Sequence, residues 1–239
     1  MTPLPSAQRL PAPVLGLAAV QLAALLTNQV GIWQGHDTVA ASGQLLMSAT
    51  AALIVIVFTG GTTGMLGAIG MLGCFAGDLV PRFMEPPTTT LAMIGTFAVG
   101  QLFLVAAFWQ RVDWRAPRTR RVGIGLVVFA LALLAYLSVA PGADRSMWGL
   151  MVLYAVLLVL MAVTASVNRL ALLGALSFVL ADAILAVKLL GLLGEGVIAS
   201  SVLMGFYGLA LLLLALGLVQ LGRGDGGAVQ SPLAWRHAL

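Results

Sequence analysis

Charged residues are scarce in this sequence of 239 residues: they make up 8% of it, whereas 61% is hydrophobic, and the mean hydropathy is +1.06. A soluble domain carries about 25% charged residues, so a water-soluble globular fold is excluded. The formal charge of +4 does not indicate a nucleic-acid partner, because the basic residues lie in short segments between apolar runs and form no groove-lining pattern. The lack of charge predicts a membrane protein.

Cysteine and histidine are nearly absent. The single cysteine, Cys74, excludes an intramolecular disulfide and any paired-cysteine metal or redox site. The two histidines, His36 and His237, are too far apart in sequence for a metal motif, and the sequence contains no serine-hydrolase elbow, P-loop or dinucleotide fingerprint. We therefore predict neither a metal nor a cofactor.

Long apolar runs separated by short polar breaks are what the sequence does contain. Each run is long enough to cross a bilayer, which takes about 20 apolar residues. We predict an all-α membrane domain over residues 1–221 and a flexible cytoplasmic tail over 222–239. The eight predicted helices are Val14–Trp33, Val39–Phe58, Thr63–Val80, Leu91–Trp109, Val122–Ala140, Trp148–Ser166, Leu170–Leu190 and Val197–Leu221. Proline and glycine mark several breaks, namely Gly60, Gly61, Pro81, Pro86, Pro87, Pro117, Pro141 and Gly142.

Basic residues fix the predicted orientation, because cytoplasmic loops of membrane proteins are enriched in arginine and lysine. With the N-terminus inside, nine basic residues are cytoplasmic and three are outside, so both termini are predicted to be cytoplasmic. The cytoplasmic set is Arg9, Arg111, Arg115, Arg118, Arg120, Arg121, Arg169, Arg223 and Arg236, and the outer set is Arg82, Arg145 and Lys188. Eleven of the twelve basic residues are arginine, and alanine, glycine and leucine are abundant. This usage indicates a GC-rich bacterial genome and hence the inner membrane.

Two aspartates lie inside apolar helices, where a charge is costly. Asp182 is near the middle of the seventh predicted helix, and Asp78 is in the last turns of the third. A charged aspartate at a helix centre costs roughly 2.5–3.5 kcal/mol, so such residues usually face a cavity or a partner. We expect both in one polar pocket in the outer half of the membrane, one protonated and one ionised, without an intramembrane lysine or arginine to neutralise them. The alternative is that each only hydrogen-bonds a neighbouring helix.

The surroundings of these aspartates suggest further residues of the site. Glycine recurs every third residue before Asp78, from Gly61 to Gly73, which makes the third helix thin; we expect it to pack near the seventh. Gln101, Tyr154 and Tyr207 are polar groups within helices, and we predict that they bind substrate; the alternative, that each is a hydrogen-bonded core residue, stays open. A parallel repeat of four plus four helices would relate Asp78 to Asp182, 104 residues apart. The alternative, that any even set of apolar helices aligns this way, stays open.

Several segments together resemble the YhhN/lysoplasmalogenase family, which includes the mammalian transmembrane protein 86 type. The resemblance covers roughly residues 64–216 and rests on LGCFAGDLVPR, GTFAVGQLFLVAAF and LLGALSFVLADAILA, on Tyr154 and Met161 seven residues apart, and on Tyr207. It implies eight spans with both termini inside and hydrolysis of the vinyl ether bond of a lysoplasmalogen. The products would be a fatty aldehyde and glycerophosphoethanolamine or glycerophosphocholine.

This chain departs from the family pattern at identifiable positions. Gln101 replaces a histidine of the fourth helix, Ala181 a serine before the second aspartate, and Ala210 a glutamine of the last helix, while Gly43-Gln44 lies near the place of a Lys-Pro pair. Asp182 is the more deeply buried of the two aspartates in the predicted helices, so we predict that Asp182 is the acid and Asp78 the base; the reverse assignment stays open. A proton-coupled transporter and a non-catalytic lipid-binding protein are the alternative functions.

Overall fold

In the described part of the computed structural model, which covers residues 10–85, 88–139, 148–194 and 196–223, the chain folds into eight α-helices. They are α1 (Ala12–Gln34), α2 (Asp37–Phe58), α3 (Gly61–Leu79), α4 (Thr88–Trp109), α5 (Pro117–Ser138), α6 (Trp148–Thr164), α7 (Arg169–Leu189) and α8 (Val197–Arg223). Short 3₁₀ turns follow α3 at Val80–Arg82 and α6 at Ala165–Val167. The all-α prediction is confirmed. The predicted breaks at Pro86, Pro87, Pro141 and Gly142 lie outside the described residues.

The largest difference from the predicted boundaries is at the start of α5. The helix begins at Pro117, five residues before the predicted Val122. Proline is favoured in the first turn because its missing N–H needs no partner there, and arginine is a good helix former. Helix α8 ends at Arg223, two residues beyond its predicted end, and the predicted tail after it is outside the described residues.

All eight helices are long and apolar enough to cross a membrane in the described part of the chain. Their outward faces are apolar as well: Val128 and Leu131 of α5 are each 61% exposed, and Leu153 of α6 is 66% exposed. Such surfaces are stable in lipid and not in water. The protein is therefore a multi-pass membrane protein. The orientation of its termini stays a prediction.

Helix α8 holds the bundle together. It packs on α1, α2, α3 and α7, and it is the most deeply buried of the spans. Sequential pairs form antiparallel hairpins, with the closest packing in α1–α2, α3–α4 and α7–α8. Helix α5 is peripheral. Only 11% of the residues in its most apolar stretch are buried inside the protein, and it packs mainly on α6 and on the turn that follows α6. The bundle is thus well packed on one side and loosely packed around α5.

The glycines of α3 allow close contact with α4. A Cβ atom added to Gly73 would lie 2.5 Å from the Cα of Gly100, and one added to Gly70 would lie 2.7 Å from the side chain of Leu104. Gly67 faces Leu218 of α8 in the same way. The expectation that α3 packs near α7 is wrong, because this face is filled by α4 and α8, and α7 packs on α8 and α6 instead.

Candidate active site

A cavity of about 390 Å³ lies between α4, α5, α6 and α7. It occupies the half of the membrane in which α4 begins and α7 ends, from Thr90 down to Phe97 on α4 and from Val179 up to Leu190 on α7. Its wall is mostly apolar, with side chains such as Met93, Phe129 and Leu134. Under the predicted topology this is the outer half of the membrane.

Asp182 and Tyr154 give this apolar cavity its polar centre. The Tyr154 hydroxyl donates a hydrogen bond to Asp182 Oδ2 at 2.6 Å, and Gln101 Nε2 donates to the Tyr154 oxygen at 2.9 Å. Because the tyrosine oxygen accepts from Gln101, its own proton is directed to Asp182. No described residue hydrogen-bonds to the second carboxyl oxygen of Asp182, Oδ1, and this atom is not fully buried. Oδ1 is therefore the oxygen available to a molecule in the cavity.

Asp78 belongs to a second and separate hydrogen-bonded group. Gln44 Nε2 donates to Asp78 Oδ1 and the Tyr207 hydroxyl donates to Asp78 Oδ2, both at 2.8 Å. Arg82 Nη2 donates to Gln44 Oε1 at 3.4 Å, so an exposed cation is linked to the buried carboxyl through the glutamine. Asp78 is 2% exposed and does not line the cavity. The expectation that both carboxyls share one polar pocket is therefore wrong: the pocket is apolar and contains Asp182 alone of the two.

An aromatic cluster connects the two groups. The rings of Phe97, Phe178 and Tyr207 pack edge to face, with centroid separations of 5.8 to 6.3 Å. Phe97 lines the cavity, while the hydroxyl of Tyr207 is bonded to Asp78. The ring of Phe97 also lies against Gly77, where an added Cβ would be 2.7 Å from it. Asp78 thus supports a wall of the cavity that it does not touch.

The helices that supply partners to the two aspartates follow the predicted repeat. Asp78, on α3, is bonded by residues of α2 and α8. Asp182, on α7, is bonded by a residue of α6 that is in turn bonded from α4. Exchanging α1–α4 with α5–α8 converts one set of helices into the other. The repeat stays a prediction, and this correspondence supports it.

Of the three residues predicted to bind substrate, the structure places one on the cavity wall. Tyr154 lines the cavity, whereas Gln101 is fully buried behind it and Tyr207 is bonded to Asp78. Sequence reasoning missed Gln44 and Arg82 as partners of Asp78. Gln44 was detectable as an amide within an apolar helix, and Arg82 as a cation four residues after Asp78 in sequence.

Metal ligands do not cluster here: within the described ranges, no three histidine, cysteine, aspartate or glutamate residues come together. The site's chemical groups are thus a carboxyl with one accessible oxygen, a tyrosine that holds the other oxygen, and an apolar chamber. This arrangement suits proton transfer to and from an apolar ligand.

Comparison with known proteins agrees with the resemblance noted in the sequence. The YhhN family profile matches residues 38–218, which is well over half of the chain. The chain belongs to the YhhN family. Neither the curated proteins nor the solved structures contain a match. The YhhN match runs from the first turn of α2 into α8 and contains both hydrogen-bonded groups and every helix that lines the cavity.

Proposed function

We propose that this YhhN-family protein is a membrane-embedded hydrolase that cleaves the vinyl ether bond of lysoplasmalogens. The observation that carries the proposal is Asp182, whose carboxyl is oriented by Tyr154 on the wall of an apolar cavity of about 390 Å³. That volume lies within the roughly 300–1,000 Å³ range of small-molecule sites. An apolar chamber with one acid suits an alkenyl chain whose reactive bond must be protonated on carbon.

The proposed reaction begins with proton transfer from Asp182 Oδ1 to the double-bond carbon that is not attached to the ether oxygen. The double-bond electrons form the new C–H bond, and the ether oxygen shares the positive charge as an oxocarbenium ion. The Asp182 carboxylate, still bonded at Oδ2 by Tyr154, stabilises this cation. A general acid positioned in this way contributes about 10²–10⁴-fold to the rate.

Water completes the proposed cycle. It adds to the oxocarbenium carbon, and its proton returns to Asp182, which now acts as general base. The resulting hemiacetal breaks its bond to the glycerol oxygen, which takes the hydroxyl proton. The products are a fatty aldehyde and glycerophosphoethanolamine or glycerophosphocholine. The carboxyl ends the cycle protonated, so atoms and charge balance.

The proposal gives both proton transfers to Asp182 and a positioning role to Asp78. Asp78 has both carboxyl oxygens bonded and has no contact with the cavity. It acts through Tyr207 and the aromatic cluster, which hold Phe97 against the substrate chamber. The hypothesis that both carboxyls take part in proton transfer is thereby replaced: Asp182 alone transfers protons, and the buried Asp78 only positions other residues.

Aldehyde release from lysoplasmalogen by the purified full-length protein tests the proposal, with mass spectrometry as the readout. We expect Asp182→Asn to lower turnover by about 10²–10⁴-fold at an unchanged melting temperature, because an amide cannot donate the proton. Asp78→Asn should lower turnover less and should also lower the melting temperature, because Asn offers only one acceptor to two donors. Asp37→Asn, the same change at an exposed carboxyl, is the control.

Three results would contradict this reading. Full turnover in Asp182→Asn would remove the acid from the mechanism. A wild-type protein that binds lysoplasmalogen without releasing aldehyde would favour the lipid-binding alternative, and vectorial movement of a ligand in proteoliposomes would favour the transporter.

A further inference from the structure

The connection between α4 and α5 concentrates basic and aromatic residues on one face of the protein. Five arginines lie within the segment from Arg111 to Arg121. Four of them, Arg115, Arg118, Arg120 and Arg121, are exposed, and their side chains form no hydrogen bond or ion pair with a described residue. Asp113 is the one acidic residue in the segment, and its carboxyl accepts the backbone N–H of Arg115. These four arginines therefore carry positive charge without a counterion among the described residues.

The first turn of α5 directs these arginines away from the bundle. Thr119 is buried and shares a hydrogen bond with Ser166 at 3.0 Å, which fixes that side of α5 against the turn after α6. At 3.6 residues per turn, the positions on either side of Thr119 and the second residue after it point outward. Arg118, Arg120 and Arg121 occupy those positions. The three arginine side chains therefore point away from the bundle, toward the surrounding bilayer.

Two tryptophans show where that bilayer surface lies. Trp109, the last residue of α4, and Trp114 pack edge to face with ring centroids 4.8 Å apart, and both are about half exposed. Exposed tryptophans at the ends of membrane helices lie at the level of the lipid headgroups. The unpaired arginines follow within a few residues, so they lie beside the phosphates of the same leaflet.

We propose that this segment, residues 109–121, is a binding surface for the phosphate groups of anionic phospholipids. Guanidinium groups form paired hydrogen bonds with phosphate oxygens, and clustered basic residues next to a membrane helix attract anionic lipids. The surface lies at the end of the bundle away from the Asp182 cavity, because α4 runs from the cavity to Trp109. The proposal is independent of the proposed hydrolase activity.

Lipid binding by the purified full-length protein tests the proposal. Native mass spectrometry in detergent would follow titration with phosphatidylglycerol and, separately, with phosphatidylcholine of the same acyl chains. We expect wild-type protein to bind phosphatidylglycerol about tenfold or more tightly than phosphatidylcholine. The variant R115Q/R118Q/R121Q should lose most of that preference. No preference in wild type, or an unchanged preference in the variant, would overturn the proposal.

Two control variants test whether a loss of the lipid preference comes from this surface, and not from the lower net charge or from misfolding. R9Q/R169Q/R236Q removes three charges from the same predicted side, and it should keep the preference; an equal loss there would show that only net charge matters and would overturn the proposal. R115K/R118K/R121K keeps the charge, and it should keep most of the preference. Displacement of phosphatidylglycerol by millimolar inorganic phosphate would instead identify a site for soluble phosphate.

Discussion

At the residue scale, the hydrogen bonds of Tyr154 make it the connection between a buried amide and the Asp182 carboxyl on the cavity wall. Its oxygen accepts from Gln101 and its proton goes to Asp182. Gln101 is fully buried, and its Oε1 has no partner among the described residues. The glutamine therefore depends on the tyrosine for its one described side-chain hydrogen bond, and the two side chains should behave as a unit.

This dependence predicts a non-additive mutant cycle. Tyr154→Phe removes the acceptor of a buried donor, which costs about 1–3 kcal/mol. Gln101→Leu in the Tyr154→Phe background removes that stranded donor and should recover stability. We expect the double variant to unfold at a higher temperature than Tyr154→Phe alone, measured by tryptophan fluorescence in detergent. Additive losses would show that the two side chains are not coupled.

The same residues show how far the sequence predicts the site. Asp78 and Asp182 stood out from the sequence because a carboxylate in an apolar helix is costly. Their separation into two groups was not predictable, because it depends on which helix faces which, and helices of similar apolar composition give little periodic signal. Gln101 and Tyr207 were correctly singled out as polar residues inside helices, yet their contacts are with other side chains rather than with the cavity.

At the scale of the helix, the close approach of α3 and α4 depends on the absence of side chains. Gly73 contacts the backbone of Gly100, and a backbone cannot move aside as a flexible side chain can. Helix existence and length were predictable from hydropathy alone, within a few residues at most ends. Which helix packs on the glycine face of α3 was not predictable, because a face without side chains can pack closely on any neighbouring helix.

Gly73→Ala should therefore be strongly destabilising. The new Cβ would lie 2.5 Å from the Gly100 Cα, and overpacking of this kind costs about 1–3 kcal/mol. Gly95→Ala in α4 is the matched control, because an added Cβ there has no heavy atom within 4 Å. We expect a lower melting temperature for the first variant and little change for the second. Equal behaviour of the two would mean that α3 and α4 are not in this contact.

At the scale of the whole molecule, the distribution of arginine predicts which end faces the cytoplasm. The predicted topology assigns nine basic residues to the cytoplasmic side and three to the outer side. A reporter that is active only in the periplasm should be silent when fused after Arg121 or after Leu239, and active when fused after Arg82. A cytoplasmic reporter at the same three positions gives the complementary pattern. Periplasmic activity after Arg121 would reverse the topology and move the cavity to the inner leaflet.

The loose attachment of α5 has a consequence for substrate entry under the proposed function. This helix forms one wall of the cavity, yet it packs mainly on α6 and the turn after it. Helix α5 makes no extensive contact with α4 or α7, the other helices beside the cavity. Under the proposed function, we therefore expect a lipid substrate to reach Asp182 from the acyl chains of one leaflet, by sideways diffusion past α5. Under the proposed function, the quantity that governs turnover is the mole fraction of lysoplasmalogen in the membrane, and its concentration in the surrounding water has no direct effect. Inert lipid added at constant total substrate would slow such an enzyme by surface dilution.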